Sequence, residues 1–515
     1  MAVLASWAVS SLQGHEGNGL RVVAGCAAHG PARASALSLL GPRRARPVSR
    51  PSPPASRVLS PVQRAIYASG DFTINAALNA LAFVFTAYFL IHVAELRPAL
   101  AGLVPLIGRA VDAFTDPLMG RISDRTRWQW GRRRPYFLIG AVPFGLCFAL
   151  LWVPVPFTHE LLRFAYYAFV YCLLTTAMTV LSIPYLALQP EMALSYDDRT
   201  SLNTYRSAGA MLGVFAAVSV RPLAESFGGG PTGFQFAGFV LGCLFALPWF
   251  FVYRVSFERP EWREQEVSTT PFFRGLVEVL AHPNFRRLLA LFLFSRMAID
   301  VISTLLILYF THWLLRSEDF ERGMVIFLVA VVSALPVWLW VARRTEKTQL
   351  FAYGAVLWSA VQCVLFFVQP DWSRWTLFLL MAVAGAGYAA VDVMPWSMLG
   401  DVIDEDELRT GQRREGVYNG VFTFVRKLAG AVGVSLVLGV LDLLGFQANE
   451  PTSDTVRNSI RLLAAFAPLA FLAAAVISAG RYPITRAAHA QIVAELWRRR
   501  AHSATRATSS TQSNS

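Results

Sequence analysis

The chain has 515 residues, of which 55% are hydrophobic and 15% are charged, and its mean hydropathy is +0.45. Soluble domains contain about 25% charged residues, so this composition excludes an ordinary soluble protein and indicates a polytopic membrane protein. The net charge of +13 does not indicate a nucleic-acid partner, because the arginines occur in short groups between apolar segments, as in the cytoplasmic loops of membrane proteins.

The first 57 residues differ in composition from the rest of the chain. They are rich in Ala, Arg, Ser and Pro and contain a single acidic residue, Glu16. A segment of this composition cannot bury enough apolar surface to form a core. We therefore predict a disordered extension over residues 1–57, with a transit peptide as the alternative.

Twelve apolar segments follow, each long enough to cross the ~30 Å hydrocarbon layer of a bilayer. The loops after even-numbered segments are rich in arginine, which predicts that both termini are cytoplasmic. A polar segment divides the apolar segments six and six, the layout of the major facilitator fold. The predicted parts are the extension 1–57, a six-helix half 58–255, a cytoplasmic middle loop 256–285, a second six-helix half 286–481 and a cytoplasmic tail 482–515.

The second apolar segment carries two acids where charge is most costly. Within "GRAVDAFTDPLMGRISDRTRWQWGRRRP", residues 108–135, Asp112 and Asp116 are four residues apart and share one helix face. Two carboxylates in a low-dielectric wall repel each other, so they require a proton, a basic partner such as Arg109, or a cation. Hard oxygen ligands suit Na⁺, and the pair can also carry H⁺. We interpret it as a monovalent cation site to which Thr179 can add a hydroxyl; a static ion-pair cluster is the alternative.

Other charged residues also lie inside apolar segments. Only two of the 46 basic residues are lysines, so the intramembrane position of Lys427 is unusual in this sequence. Together with Asp71 and Arg206 it can hold a polar or charged solute in a central cavity, unless these residues pair with one another. Arg296 and Asp300, four residues apart, are interpreted as a local salt bridge.

A weak internal repeat follows the fourth and tenth segments. "LQPEMALSYDDRTSLNTYR" and "LGDVIDEDELRTGQRREGVYNGVFTFVRK" each contain a first acid, a group of further acids and an Arg-Thr pair. The first acids are Glu191 and Asp401, and the paired arginines are Arg199 and Arg409. We predict that these acids and arginines form a cytoplasmic gate, with solvated loop charges as the alternative.

These motifs resemble the melibiose permease-like glycoside-pentoside-hexuronide:cation symporters of the major facilitator superfamily, over nearly the whole apolar region. The resemblance implies Na⁺- or H⁺-coupled uptake of a sugar or glycoside by alternating access. It implies that the ligands of the coupling cation are Asp112, Thr115, Asp116 and Thr179. The only metal ion that these residues are predicted to bind is Na⁺. The predicted solute-site positions are Asp71, Arg206, Lys427, Ser182 and the neighbouring Arg109.

Two positions depart from the sugar-transporting members of that family. Ser182 stands where those members have a sugar-binding aspartate, and Leu186 where they have a stacking tryptophan. The sodium-dependent lysophosphatidylcholine symporters of the same wider family also lack both. A lysolipid or another amphipathic solute is therefore the alternative substrate.

Other function classes fit the sequence less well. It contains neither a GxxxxGK[ST] nor an HExxH motif, so we predict neither a pump nor another enzyme, and no cofactor besides the coupling ion. A non-transporting receptor or scaffold is expected to lose the carboxylate pair and Lys427. Passive facilitation remains an alternative to symport. We predict a plasma (inner) membrane location, with lipid, solute and cation as partners. We also predict a monomer, because one chain contains all twelve segments.

Overall fold

The computed structural model describes residues 59–193, 196–258, 277–342, 344–411, 414–447 and 453–513; the predicted extension 1–57 lies outside these ranges. Thirteen helices account for most of the described chain. The N-terminal half contains α1 Pro61–Val93, α2 Pro98–Arg125, α3 Pro135–Leu151, α4 Glu160–Met192, α5 Tyr196–Val218 with its bent continuation Val220–Ser226, and α6 Gly230–Val255. The C-terminal half contains α7 Pro283–Trp313, α8 Glu318–Ala342, α9 Lys347–Phe367, α10 Arg374–Thr410, α11 Glu415–Leu443 and α12 Asp454–Gly480, and α13 Arg486–Ser513 follows it.

Local sequence signals set the ends of several helices. Ser60 and Gln63 form a capping box at the start of α1, and the Ser453 hydroxyl accepts a hydrogen bond from the third residue of α12. Helices α1, α2, α3 and α7 begin with proline, whose missing N–H is not needed there. Helix α10 ends at Gly411, whose φ of 72° is the left-handed conformation that glycine adopts without strain.

The described helices confirm the prediction of an all-α polytopic membrane protein. Among them, ten are long and apolar enough to cross a membrane, or eleven if α5 and its continuation, bent by 44°, form one span. Helix α3 is apolar but has 17 residues. Each predicted apolar segment therefore corresponds to a helix, and the C-terminal tail adds α13.

Close helix packing stabilises each half. Helix α3 packs against α6 where Gly145 and Gly242 face each other. A β-carbon on either glycine would collide with the backbone carbonyl oxygen of the other. Small residues allow this approach, which is the usual way in which membrane helices gain packing energy.

The halves contact each other at the end of the bundle remote from the two termini, which we call the distal end. Helix α2 packs against α11, and the distal part of α1 packs against α7. The contacts there include His92 Nε2 with His312 Nε2 at 2.8 Å, the Ser435 hydroxyl donating to the Gly102 carbonyl at 2.6 Å, and Arg221 with Glu321 at 3.4 Å.

Helices α1 and α7, the first of each half, share an unusual distal end. Each finishes in a π-helical stretch, Leu81–Val93 in α1 and Tyr309–Trp313 in α7. A residue with positive φ follows soon after each stretch, Glu95 at 54° and Leu315 at 56°. The same rare features at matching positions support an internal repeat of two related halves.

Candidate functional site

The two acids of α2 form a cluster with two basic side chains. Lys427 of α11 places its Nζ 2.6 Å from Asp116 Oδ2 and 3.3 Å from Asp112 Oδ2. Arg109 donates from Nη1 to Asp112 Oδ2 at 3.0 Å. Two positive charges thus balance two negative charges, as a low-dielectric environment requires. Lys427 belongs to the C-terminal half, so this cluster also joins the halves.

Oxygen atoms around this cluster fit a monovalent cation. The Thr179 hydroxyl donates to Asp116 Oδ1 at 2.7 Å. Asp112 Oδ1 and Thr115 Oγ1 are buried, and neither has a hydrogen-bond partner among the described residues. Unsatisfied buried oxygens are costly, and a hard cation such as Na⁺ would satisfy them. The ammonium of Lys427 stands for such a cation, because it lies between the two carboxylates that would bind one.

The structure corrects the predicted grouping of the solute-site residues. The sequence led us to expect Lys427 beside Asp71 and Arg206, but Lys427 contacts Asp112 and Asp116 instead. The reason is the packing of α11 across α2, which brings the lysine to the α2 face that carries both acids. The prediction placed these residues by helix depth alone and could not include this packing.

Asp71 and Arg206 form a closed ion pair within the N-terminal half. Arg206 donates from Nε to Asp71 Oδ2 at 2.7 Å and from Nη2 to Asp71 Oδ1 at 3.0 Å. The Tyr185 hydroxyl donates to Asp71 Oδ2 at 2.6 Å, and Gln189 accepts from Arg206 Nη1. Asp71 and Arg206 are 6% and 3% exposed. This bidentate pair corresponds to the alternative in which the charges pair with one another.

A central cavity lies between the two halves and has two adjoining lobes. The first lobe is mostly apolar, and the second reaches Arg109 and Lys427, so the cation cluster borders the cavity. Neither lobe is lined by Asp71, Ser182 or Arg206. Both lobes are lined by Asn75, Asn79, Ala82, Arg296, Asp300 and Arg426.

The C-terminal half contributes a second charged cluster to this cavity. Arg296 donates to Asp300 Oδ1 at 2.6 Å, and Asp392 of α10 accepts from the same guanidinium at 3.1 Å. The salt bridge that we interpreted as local therefore extends to a second helix. Arg426 of α11 also lies here, near Arg296, and the sequence reading did not select it. The sequence feature that could have identified Arg426 is its position directly before Lys427 in an apolar helix.

Three of the residues predicted to form a gate, Glu191, Asp401 and Arg409, contact charged residues outside the predicted set. Glu191 accepts from Arg132 at 2.9 Å and from Arg133 at 2.6 Å, both in the loop after α2. The side chain of Arg199 lies outside the described part of the chain.

The second half repeats this arrangement. Asp401 accepts from Lys347, which begins α9, at 2.7 Å, while Arg409 contacts Asp406 at 3.6 Å. Asp401 therefore pairs with the basic residue after α8 and not with Arg409, because the ends of α9 and α10 meet there. In both halves an acid on the fourth helix binds a basic residue that lies after the second helix, in the loop in the first half and at the start of the third helix in the second half.

Comparisons with known proteins agree with this architecture. The profile of the MFS/sugar transport protein family matches residues 66–486. An uncharacterised symporter of Synechocystis is 28% identical, with 84% of this chain and 95% of the relative covered. The sodium-dependent lysophosphatidylcholine symporter 1-A of Danio rerio is 26% identical, with 83% and 86% covered. The inner membrane symporter YicJ of Escherichia coli is 29% identical, with 84% and 93% covered.

Solved structures share the fold at low sequence identity. The nucleoside transporter NupG superposes with a TM-score of 0.57 at 15% identity, covering 81% of this chain and 98% of NupG. A bacterial homologue of the human lysosomal transporter Spinster, in an inward-facing and unoccupied conformation, gives 0.61 at 11% identity, covering 84% and 97%. At these identities the similarity shows the fold alone.

Proposed function

The chain belongs to the MFS/sugar transport protein family, and from that premise we propose that it is a secondary active symporter that couples solute uptake to Na⁺ or H⁺. The three relatives described above are named symporters, and each aligns with more than 80% of this chain. The observation that carries the proposal is the cluster of Asp112, Asp116 and Lys427, because it combines two carboxylates suited to a cation with a contact between the two halves.

Coupling follows from competition for the carboxylates. A Na⁺ ion or proton that binds Asp112 and Asp116 removes the charge that attracts the ammonium of Lys427. The contact between α2 and α11 then weakens, so cation occupancy changes the relative stability of the conformations of the two halves. If the solute prefers the same conformation, the cation raises the protein's affinity for the solute. The solute must then raise the protein's affinity for the cation by the same factor.

A sugar or glycoside is the first candidate solute. Asn75 and Asn79 border both lobes and offer amide donors and acceptors to hydroxyl groups, and Gln362 borders the apolar lobe. The position of the family's sugar-binding aspartate is Ser182, which lines neither lobe.

A lysolipid is the second candidate, favoured by a specific observation. The first lobe is lined largely by apolar side chains that suit an acyl chain. Several relatives are named sodium-dependent lysophosphatidylcholine symporters. Both candidates place the solute between the halves, next to the cation cluster.

The test is transport by the purified protein in liposomes. Uptake of 4-nitrophenyl glycosides and of lysophosphatidylcholine is measured with an inward Na⁺ gradient, an inward H⁺ gradient or no gradient. We expect accumulation above equilibrium with one of the two gradients and none without. Exchange without gradient-driven accumulation would instead support passive facilitation and contradict symport. Absence of both uptake and exchange would favour the receptor or scaffold class.

A further inference from the structure

Arg426 is a charged side chain of the central cavity that has no hydrogen-bond or ion-pair partner among the described residues. It lines both lobes, yet among the described residues no hydrogen bond or ion pair involves its guanidinium. Asp300 and Asp392 are near enough to interact electrostatically with it, but both are hydrogen-bonded to Arg296. Arg426 therefore retains its donors, five N–H groups in a planar fork, for another molecule.

The position of Arg426 is unfavourable unless an anion joins it. It lies in a membrane helix, beside the guanidinium of Arg296 and next to Lys427 in the chain. Asp300 and Asp392 balance the two arginines in charge, but both bind Arg296, so Arg426 has no hydrogen-bonded anion among the described residues. A charged group in a membrane helix without such a partner is costly, and a second guanidinium nearby adds to the cost. An uncharged solute would leave this cost in place, whereas a carboxylate or phosphate group would remove it and would match the fork in a bidentate manner.

The lining of the rest of the cavity indicates the chemical character of the rest of the solute. Arg426 lies where the two lobes meet, and the first lobe continues from it as an apolar space. A solute whose acidic group reaches Arg426 would therefore place an apolar body there. This space is lined by Phe83, Met324, Phe327, Leu328, Trp358 and Leu380.

We propose that Arg426 is a specificity-determining residue of the solute site and that the transported solute is an amphipathic anion whose carboxylate or phosphate binds this guanidinium. The proposal rests on the proposed symport function, since it assigns the substrate class of the same cavity. It adds to the proposed cation site a second, anion-selective site from the C-terminal half, at the residue that precedes Lys427.

The test compares acidic probes with their uncharged twins. The first pair is 4-nitrophenyl glucuronide and 4-nitrophenyl glucoside, and the second is hexyl phosphate and 1-hexanol. Binding in saturating Na⁺ is measured by calorimetry for the wild type, for Arg426→Gln and for Arg286→Gln, an exposed arginine of α7 outside the cavity. In at least one pair the wild type should bind the acid about tenfold or more tightly than its twin. Arg426→Gln should remove that preference, and Arg286→Gln should keep it.

Several outcomes would overturn the assignment. These are an unchanged preference in Arg426→Gln, equal binding of acid and twin by the wild type, or no binding of either acid. A large loss of thermal stability in ligand-free Arg426→Gln would also overturn it, because a side chain that awaits a ligand does not stabilise the empty protein. The Na⁺ response of the ligand-free protein separates the two proposals: if it persists while these tests fail, only the anion site is refuted.

Discussion

Replacing Asp116 by asparagine should abolish most of the cation affinity while leaving the protein folded. Asp116 accepts two hydrogen bonds, from Lys427 at 2.6 Å and from Thr179 at 2.7 Å. An interaction with a charged group contributes about 1.5 to 3 kcal/mol. The carboxylate is 26% exposed, so we take a value of about 2 kcal/mol, near the lower end. At 1.4 kcal/mol per factor of ten, the Na⁺ concentration for half-saturation should rise about 30-fold.

The assay is the thermal unfolding temperature of the purified protein in rising Na⁺, with K⁺ replacing it at constant ionic strength. The wild type should show a saturable Na⁺-specific rise, and Asp116→Asn should need far more Na⁺. Asp300→Asn is the matched control, since it removes a carboxylate that lines the cavity but leaves the α2 cluster intact. An unchanged Na⁺ midpoint in Asp116→Asn, or an equal shift in Asp300→Asn, would refute this reasoning. A response to pH in place of Na⁺ would identify H⁺ as the coupling ion.

Three further predictions follow from contacts elsewhere in the fold. Asp71→Asn leaves Arg206 buried without its partner, so the free energy of unfolding should fall by about 3 to 5 kcal/mol, as measured by thermal or denaturant unfolding. Asp71→Leu combined with Arg206→Met should recover much of this loss. An unchanged free energy of unfolding in Asp71→Asn would contradict this prediction. The pKa of His489 in α13 is raised by its hydrogen bond to Asp404, so the stability of its docking is fully present below about pH 6.5 and decreases as pH rises through the raised pKa. Hydrogen exchange in α13, corrected for its intrinsic pH dependence, should therefore be faster at pH 8.5 than at pH 6, and His489→Gln should remove this difference. Gly242→Val places a side chain against a carbonyl oxygen of α3, and the yield of monodisperse protein in size-exclusion chromatography should drop sharply, while Gly439→Val, at a glycine with open space, should not change it.

The general fold is predictable from this sequence because the bilayer constrains it so strongly. Helix length follows from membrane thickness, and apolar segments must be helical to satisfy their backbone groups. The four-residue spacing of Asp112 and Asp116 likewise places both acids on one face without knowledge of the tertiary structure.

The partners of the charged residues could not be predicted in the same way. The Lys427 contact with Asp116 joins residues that are 311 positions apart, and it depends on how α11 crosses α2. The position of a residue along its own helix does not predict how two helices cross. Arg426 was missed for a related reason: periodicity shows which residues share a face, but not whether that face borders the cavity, another helix or lipid. The His92 and His312 contact also requires the two halves to be assembled first.

The lysine that lies between the two carboxylates has an electrical consequence for the transport cycle. Because Lys427 belongs to the protein, the empty carrier can return with its acids already neutralised, and its own charges end each cycle where they began. The net charge moved per turnover is then that of the cation and the solute alone. Cotransport of one Na⁺ with a neutral sugar would move one net charge and produce a measurable current that depends on the membrane voltage. Cotransport of one Na⁺ with a monovalent organic anion would move no net charge and produce no current.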